Sequence, residues 1–137
     1  MPIFRAPEVV ENDLMKPTKS RTGLRLRIYI KPDVMMGPGR ADLLEGIRDT
    51  GSIAAAGRRM SMSYKRAWSL IETMNTDFGA DVVSGAKGGA HGGGSKLTPL
   101  GEELVTRYRN MEKATQAAIR ADLAALTRKL SVIAAKK

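Results

Sequence analysis

Residues 52–66 hold Arg58, Arg59, Lys65 and Arg66 and no acid, whereas residues 67–81 hold Glu72, Asp77 and Asp81 and no base. Guanidinium and ammonium groups gathered in this way bind anions. Arg and Lys can donate to guanine O6 and N7, and hydroxyls such as those of Ser69 and Thr73 reach phosphate or a base edge. Ser63 stands just ahead of Lys65 and Arg66, and Tyr64 can either give its hydroxyl to a phosphate or pack into a core. Arg58 and Arg59 suit backbone phosphates, contacts that position a protein without reading sequence. A second basic group, Lys87, His91 and Lys96, surrounds the five glycines of Gly88–Gly94, where backbone can approach phosphates closely and side chains can enter a minor groove. The bland alternatives are a solvated helix face for the first group and an incidental charged loop for the second.

Most other chemistry is excluded. There is no cysteine, so disulfides, thiolate metal sites and cysteine nucleophiles are out, and His91 is the only histidine, too few for a multi-histidine metal centre. Asp77 and Asp81 have no partner histidine, and neither GxGxxG after a strand nor GxxxxGK[ST] occurs among the glycines. The expectation is a protein that is not an enzyme and uses no cofactor. With 23 basic against 14 acidic residues, a net charge of +9 and a pI near 10.2, polyanions are the first partners to consider, nucleic acid ahead of anionic membrane.

The elements that must hold these groups follow from the pattern. At 137 residues the chain allows one domain and a tail. Six aromatics (one Trp, three Tyr, two Phe) leave the core to Leu, Ile, Val, Met and Ala, which favours helices. No apolar run is long enough to span a bilayer and no leader pattern opens the chain, so a cytoplasmic location is expected. Residues 1–23 read as a mobile N-terminal arm. Leu24–Ile30 alternates as a half-buried strand with Leu24, Leu26, Ile28 and Ile30 inward. Lys31-Pro32 ends it, and Met36–Gly39 reads as a turn.

A first helix is expected over about Gly39 to Asp49, with Gly51 as its C-cap, and a second over Ile53 to Met60 behind Ser52. A third runs from Tyr64 to about Phe78 behind Ser63. On it Ala67, Leu70, Ile71, Met74 and Phe78 form one apolar stripe opposite Lys65, Ser69 and Thr76. Trp68 flanks the stripe and is expected to pack against the first helix or the hairpin that follows; Met60, Met62 and Met74 read as core. Two short strands, Asp81–Lys87 and Ser95–Thr98, make that hairpin. Thr98 and Pro99 then start a helix of some thirty residues, striped by Leu100, Leu104, Tyr108 and Met111 and then by Ile119, Leu123, Leu126 and Leu130. Its far half overhangs so small a core and is expected to pack on a second copy.

Strand, helix, helix-turn-helix, glycine hairpin and long helix is the order of a winged helix-turn-helix. Its specific pieces, Gly37-Pro38-Gly39-Arg40, Thr50-Gly51-Ser52-Ile53, Met62-Ser63-Tyr64-Lys65-Arg66-Ala67-Trp68 and Gly92-Gly93-Gly94 with Leu97-Thr98, closely resemble the DNA-binding domain of the ModE family of molybdate-responsive transcriptional regulators. A weaker similarity to LysR-type domains fits the same layout. The resemblance covers roughly Leu24 to Tyr108. It implies a homodimer on double-stranded DNA, the third helix as recognition helix, and control of molybdate-transport or molybdenum-cofactor genes. The expected fold is mainly α with a small β-hairpin wing: arm 1–23, winged helix-turn-helix 24–98, and a C-terminal dimerisation helix 99–137. Full-length members of the family carry Mop-type domains that bind molybdate or tungstate. No residue of this chain matches those sites, so direct oxyanion binding is not expected. The competing reading is a non-specific architectural DNA-binding protein.

Overall fold

The computed structural model describes residues 23–85 and 94–136, with side chains as far as 130. The element order is β1 (Ile28–Lys31), β2 (Val34–Met36), α1 (Pro38–Thr50), α2 (Ile53–Arg59), α3 (Tyr64–Phe78), β3 (Val83–Ser84), β4 (Lys96–Leu97), α4 (Pro99–Ala118) and α5 (Arg120–Lys136). The expectations for residues 1–22, and with them most of the N-terminal arm, and those for Lys87 and His91 at the hairpin tip, lie outside the described residues.

Capping side chains start three helices where the sequence places them. The hydroxyl of Ser52 accepts from the Ala55 amide at 3.0 Å, that of Ser63 from Arg66 at 3.0 Å and that of Thr98 from Gly101 at 3.1 Å; each satisfies one of the orphan amides of a helix start. Gly51 closes α1 in the left-handed region, φ 74°. The helices then enclose a core of Leu43, Leu44 and Ile47 from α1, Ile53 and Ala56 from α2, and Ala67, Ile71 and Met74 from α3. Close approach depends on small residues: a Cβ on Gly46 would stand 3.0 Å from that of Ala56. The turn between α2 and α3 is held by the Met62 amide donating to the Gly57 carbonyl at 2.9 Å, with Ser61 at φ 56°, an unusual conformation for a residue with a side chain.

The second hairpin is antiparallel, pairing Val83 with Leu97 and Ser84 with Lys96. Its root is tied to the helices twice, by the Val82 amide donating to Asn75 Oδ1 at 2.8 Å and the Ser95 amide to the Gly51 carbonyl at 3.3 Å. Helix α4 packs back over α1 with Val105 and Tyr108 buried. The Tyr108 hydroxyl donates to the Leu26 carbonyl at 2.6 Å. Beside it, Arg109 reaches Glu45 at 2.9 and 3.0 Å and Asp42 at 2.6 Å on α1, and Glu112 at 2.9 Å on its own helix.

Three expectations are corrected. The N-terminal strand, Ile28–Lys31 rather than Leu24–Ile30, is one arm of a hairpin: Pro32 and Asp33 form its turn, and the returning strand Val34–Met36 takes in Met36, the first residue of the expected Met36–Gly39 turn. The register slips between Tyr29 and Lys31, so strict alternation fails and Ile30 is 55% exposed instead of inward; an extra residue in one strand has that effect. The long helix is divided at Ile119, whose φ of −97° and ψ of 2° depart from helical values. The i to i−4 ladder still crosses the joint, Ile119 to Thr115 at 3.1 Å and Leu123 to Ile119 at 2.9 Å. Finally, Val105 rather than Met111 completes the inner face of α4, Met111 being exposed.

Candidate nucleic-acid interface

Helix α3 sorts its residues around its axis at about 100° per step. Ala67, Ile71 and Met74 point into the core. Lys65, Ser69 and Thr76, on the opposite side, are exposed as expected. Two flanks remain. On one, Asn75 receives the Val82 amide and directs the chain into the hairpin β3–β4; Tyr64, Trp68 and Glu72 share that side. On the other lie Arg66, Leu70, Thr73 and Asp77, and Asp77 stands 3.8 Å from Arg40. Arg40 also donates to the Met35 carbonyl of β2 at 3.0 Å. The Asn75 flank of α3 is thus tied to hairpin β3–β4, and the Asp77 flank is linked through Arg40 of α1 to β2.

Most of the expected contact residues come together here. Lys65 and Arg66 are exposed in the first turn, with no acid in that turn. Ser69 and Thr73 are exposed one turn apart, the Thr73 hydroxyl donating to the Ser69 carbonyl at 3.0 Å. Ser63 is exposed and already serves as N-cap. Tyr64 is half exposed, 51%, on the wing flank rather than in the core. Trp68 is partly buried and packs against the core. Arg58 and Arg59 are exposed in the last turn of α2, where cations also offset the helix dipole. Arg59 is not wholly unengaged, since Asp49 lies 3.5 Å away. Lys96 is exposed at the start of β4.

Arg40 is a member the sequence reading missed. Its side chain is 17% exposed, and burial lowers its pKa, offset in part by the Asp77 carboxylate, while the Arg66 guanidinium lowers it further. The only sequence signal was the Gly-Pro-Gly-Arg run itself, because its partners lie in β2 and at the far end of α3. Tyr29, 49% exposed, and Lys31, exposed, lie on β1, where Tyr29 pairs with Met35. Among the described residues no group of three or more His, Asp or Glu could hold a metal ion, and no helix is long and apolar enough to cross a membrane. The arrangement gathers hydrogen-bond donors and positive charge on the exposed side of one helix, the chemistry that phosphates and base edges accept.

No protein-family model matches the chain. Among curated proteins it is 48% identical over 77 residues to the molybdenum-pterin-binding protein MopB of Rhodobacter capsulatus, covering 56% of this chain and 28% of that one. It is 35% identical over 102 residues to the molybdenum transport protein ModE of Azotobacter vinelandii, covering 74% and 38%. It is 33% identical over 93 residues to the DNA-binding transcriptional dual regulator ModE of Escherichia coli K12, covering 68% and 36%. The chain thus spans well under half the length of these relatives. Among solved structures the DNA-binding domain of CbnR, determined with DNA, superposes with a TM-score of 0.50 at 20% identity, covering 64% of this chain and 95% of that domain. The fold is that of a winged helix-turn-helix.

Proposed function

We propose that this chain, a homologue of the ModE and Mop proteins over much of its length, is a sequence-specific DNA-binding regulator that acts as a homodimer on molybdate-transport or molybdenum-cofactor genes. The observation that carries the reading is the exposed, acid-free start of α3: Lys65 and Arg66 stand beside Ser69 and Thr73 on a helix whose other side is locked into the core. In this reading Lys65, Arg66, Ser69 and Thr73 meet base edges, while Arg58, Arg59, Ser63 and Tyr64 meet phosphates. Lys96, with Lys87 and His91, serves the wing. Recognition resides in the chain's own basic face, so DNA affinity is the same with or without molybdate or tungstate.

Selection of bound duplexes from a random pool, followed by competition against random DNA, tests it. A specific regulator discriminates by about 10³-fold or more at fixed salt; a ratio near one leaves an architectural binder. Molybdate added to the same titration, with sulfate as control, tests the last point. A molybdate-selective change in affinity would overturn it.

A further inference from the structure

Resting on the DNA-binding reading, we propose that the hairpin β1–β2 is a third DNA-contacting element, with Tyr29 and Lys31 of β1 binding phosphates on the side of α3 opposite the wing. The wing leaves α3 on the Asn75 flank, and the N-terminal hairpin is fixed to the Asp77 flank. Arg40 does the fixing: one guanidinium reaches the Met35 carbonyl at 3.0 Å and the Asp77 carboxylate at 3.8 Å. The same flank carries Arg66 and Thr73, both exposed and both among the residues proposed to face the groove. A duplex seated on Lys65, Ser69 and Thr76 therefore presents one phosphate chain to the wing and the other to β1.

What β1 offers there suits phosphate. Tyr29 is 49% exposed and pairs across the hairpin with Met35, the residue whose carbonyl Arg40 holds near Asp77. A phenol can donate one hydrogen bond and an ammonium three, and Lys31 supplies the second kind, exposed at the end of the strand. The slipped register between Tyr29 and Lys31 turns the strand so that Tyr29, Ile30 and Lys31 are all exposed in succession, which a regular strand would not do. Asp33, exposed in the hairpin turn, opposes the same phosphates and limits the attraction.

Anisotropy titrations of the full chain with selected and random duplexes, across a salt series, test the proposal. The double variant Tyr29→Phe, Lys31→Gln should bind both duplexes about tenfold more weakly, and the slope of log K against log salt should become shallower by about 0.9, the loss of one phosphate contact. Asp33→Asn should act in the opposite direction, strengthening both. Both variants alter exposed groups, and thermal melts matching wild type establish that the fold is retained. Affinity and salt slope equal to wild type in the double variant would overturn the proposal if Lys65→Gln still abolishes discrimination between the duplexes. If wild type itself shows no discrimination and Lys65→Gln changes nothing, the underlying reading of α3 as a sequence-specific recognition helix fails first.

Discussion

Asp49 stands 3.5 Å from Arg59 of α2 and 3.8 Å from Arg48. Exposed pairs of this kind are worth about 0 to 1 kcal/mol, so Asp49→Asn should release Arg59 and raise affinity for random DNA by up to about fivefold. Arg59→Ala should weaken selected and random DNA alike, leaving their ratio unchanged. Competition titrations read both effects. Elsewhere a single hydroxyl joins distant parts of the chain: that of Tyr108 meets the Leu26 carbonyl at 2.6 Å. Burial pushes its pKa up to about 12 from an ordinary 10.0. The folded protein therefore holds this proton more tightly than the unfolded chain, and the stability involved is complete below the ordinary value and lost as pH rises through 12. Tyr108→Phe should cost about 1 kcal/mol at neutral pH and flatten the alkaline decline. Urea unfolding at neutral and alkaline pH compares the two proteins.

Arg109 joins two elements, gripping Asp42 and Glu45 of α1 and Glu112 of α4. Its hydrogen bonds hold the Glu45 carboxyl below its ordinary value of 4.5. The stability from that pair is thus present above the ordinary value and lost as pH falls through the lowered one. Arg109→Leu strands three carboxylates and should destabilise by about 1 to 2 kcal/mol at neutral pH, with a smaller deficit in acid. Chemical denaturation at two pH values checks it. None of this linkage was legible in the sequence, because Arg109 lies 64 and 67 residues from its α1 partners and no local period connects them. What was legible is local: the caps Ser52, Ser63 and Thr98, the glycine that ends α1, and the stripe and exposed face of α3 each follow from spacing within one element. The N-terminal hairpin escaped because Pro-Asp is a poor marker of a two-residue hairpin turn and because its bulge breaks the alternation. Among the contact residues, the basic start of α3 was legible from composition alone. Arg40, and Tyr29 and Lys31 of the proposed third element, were not, since the tie from Met35 through Arg40 to Asp77 joins residues far apart in the sequence.

The body formed by α1 to α4 buries its own apolar stripes, but α5 does not: Leu123, Leu126 and Leu130 are 41%, 63% and 68% exposed. In the proposed homodimer these leucines meet their counterparts, each Å² of apolar surface contributing about 25 cal/mol. Leu126→Asp should then shift the protein to monomer by sedimentation and weaken binding to a two-half-site operator far more than to a single half-site. If the dimer is two-fold, its half-sites should lie one or more helical turns apart, about 34 to 36 Å each. A footprint over one asymmetric half-site would count against the pairing.

Trp68 is the single indole of the chain, partly buried on the wing flank of α3. Its ultraviolet emission consequently originates at one place, the margin between the core and the groove-facing ridge. The protein carries its own optical gauge: a duplex seated over α3 as proposed should alter the polarity around that ring and shift its colour without any attached dye, whereas a change confined to α5 should leave the colour where it was.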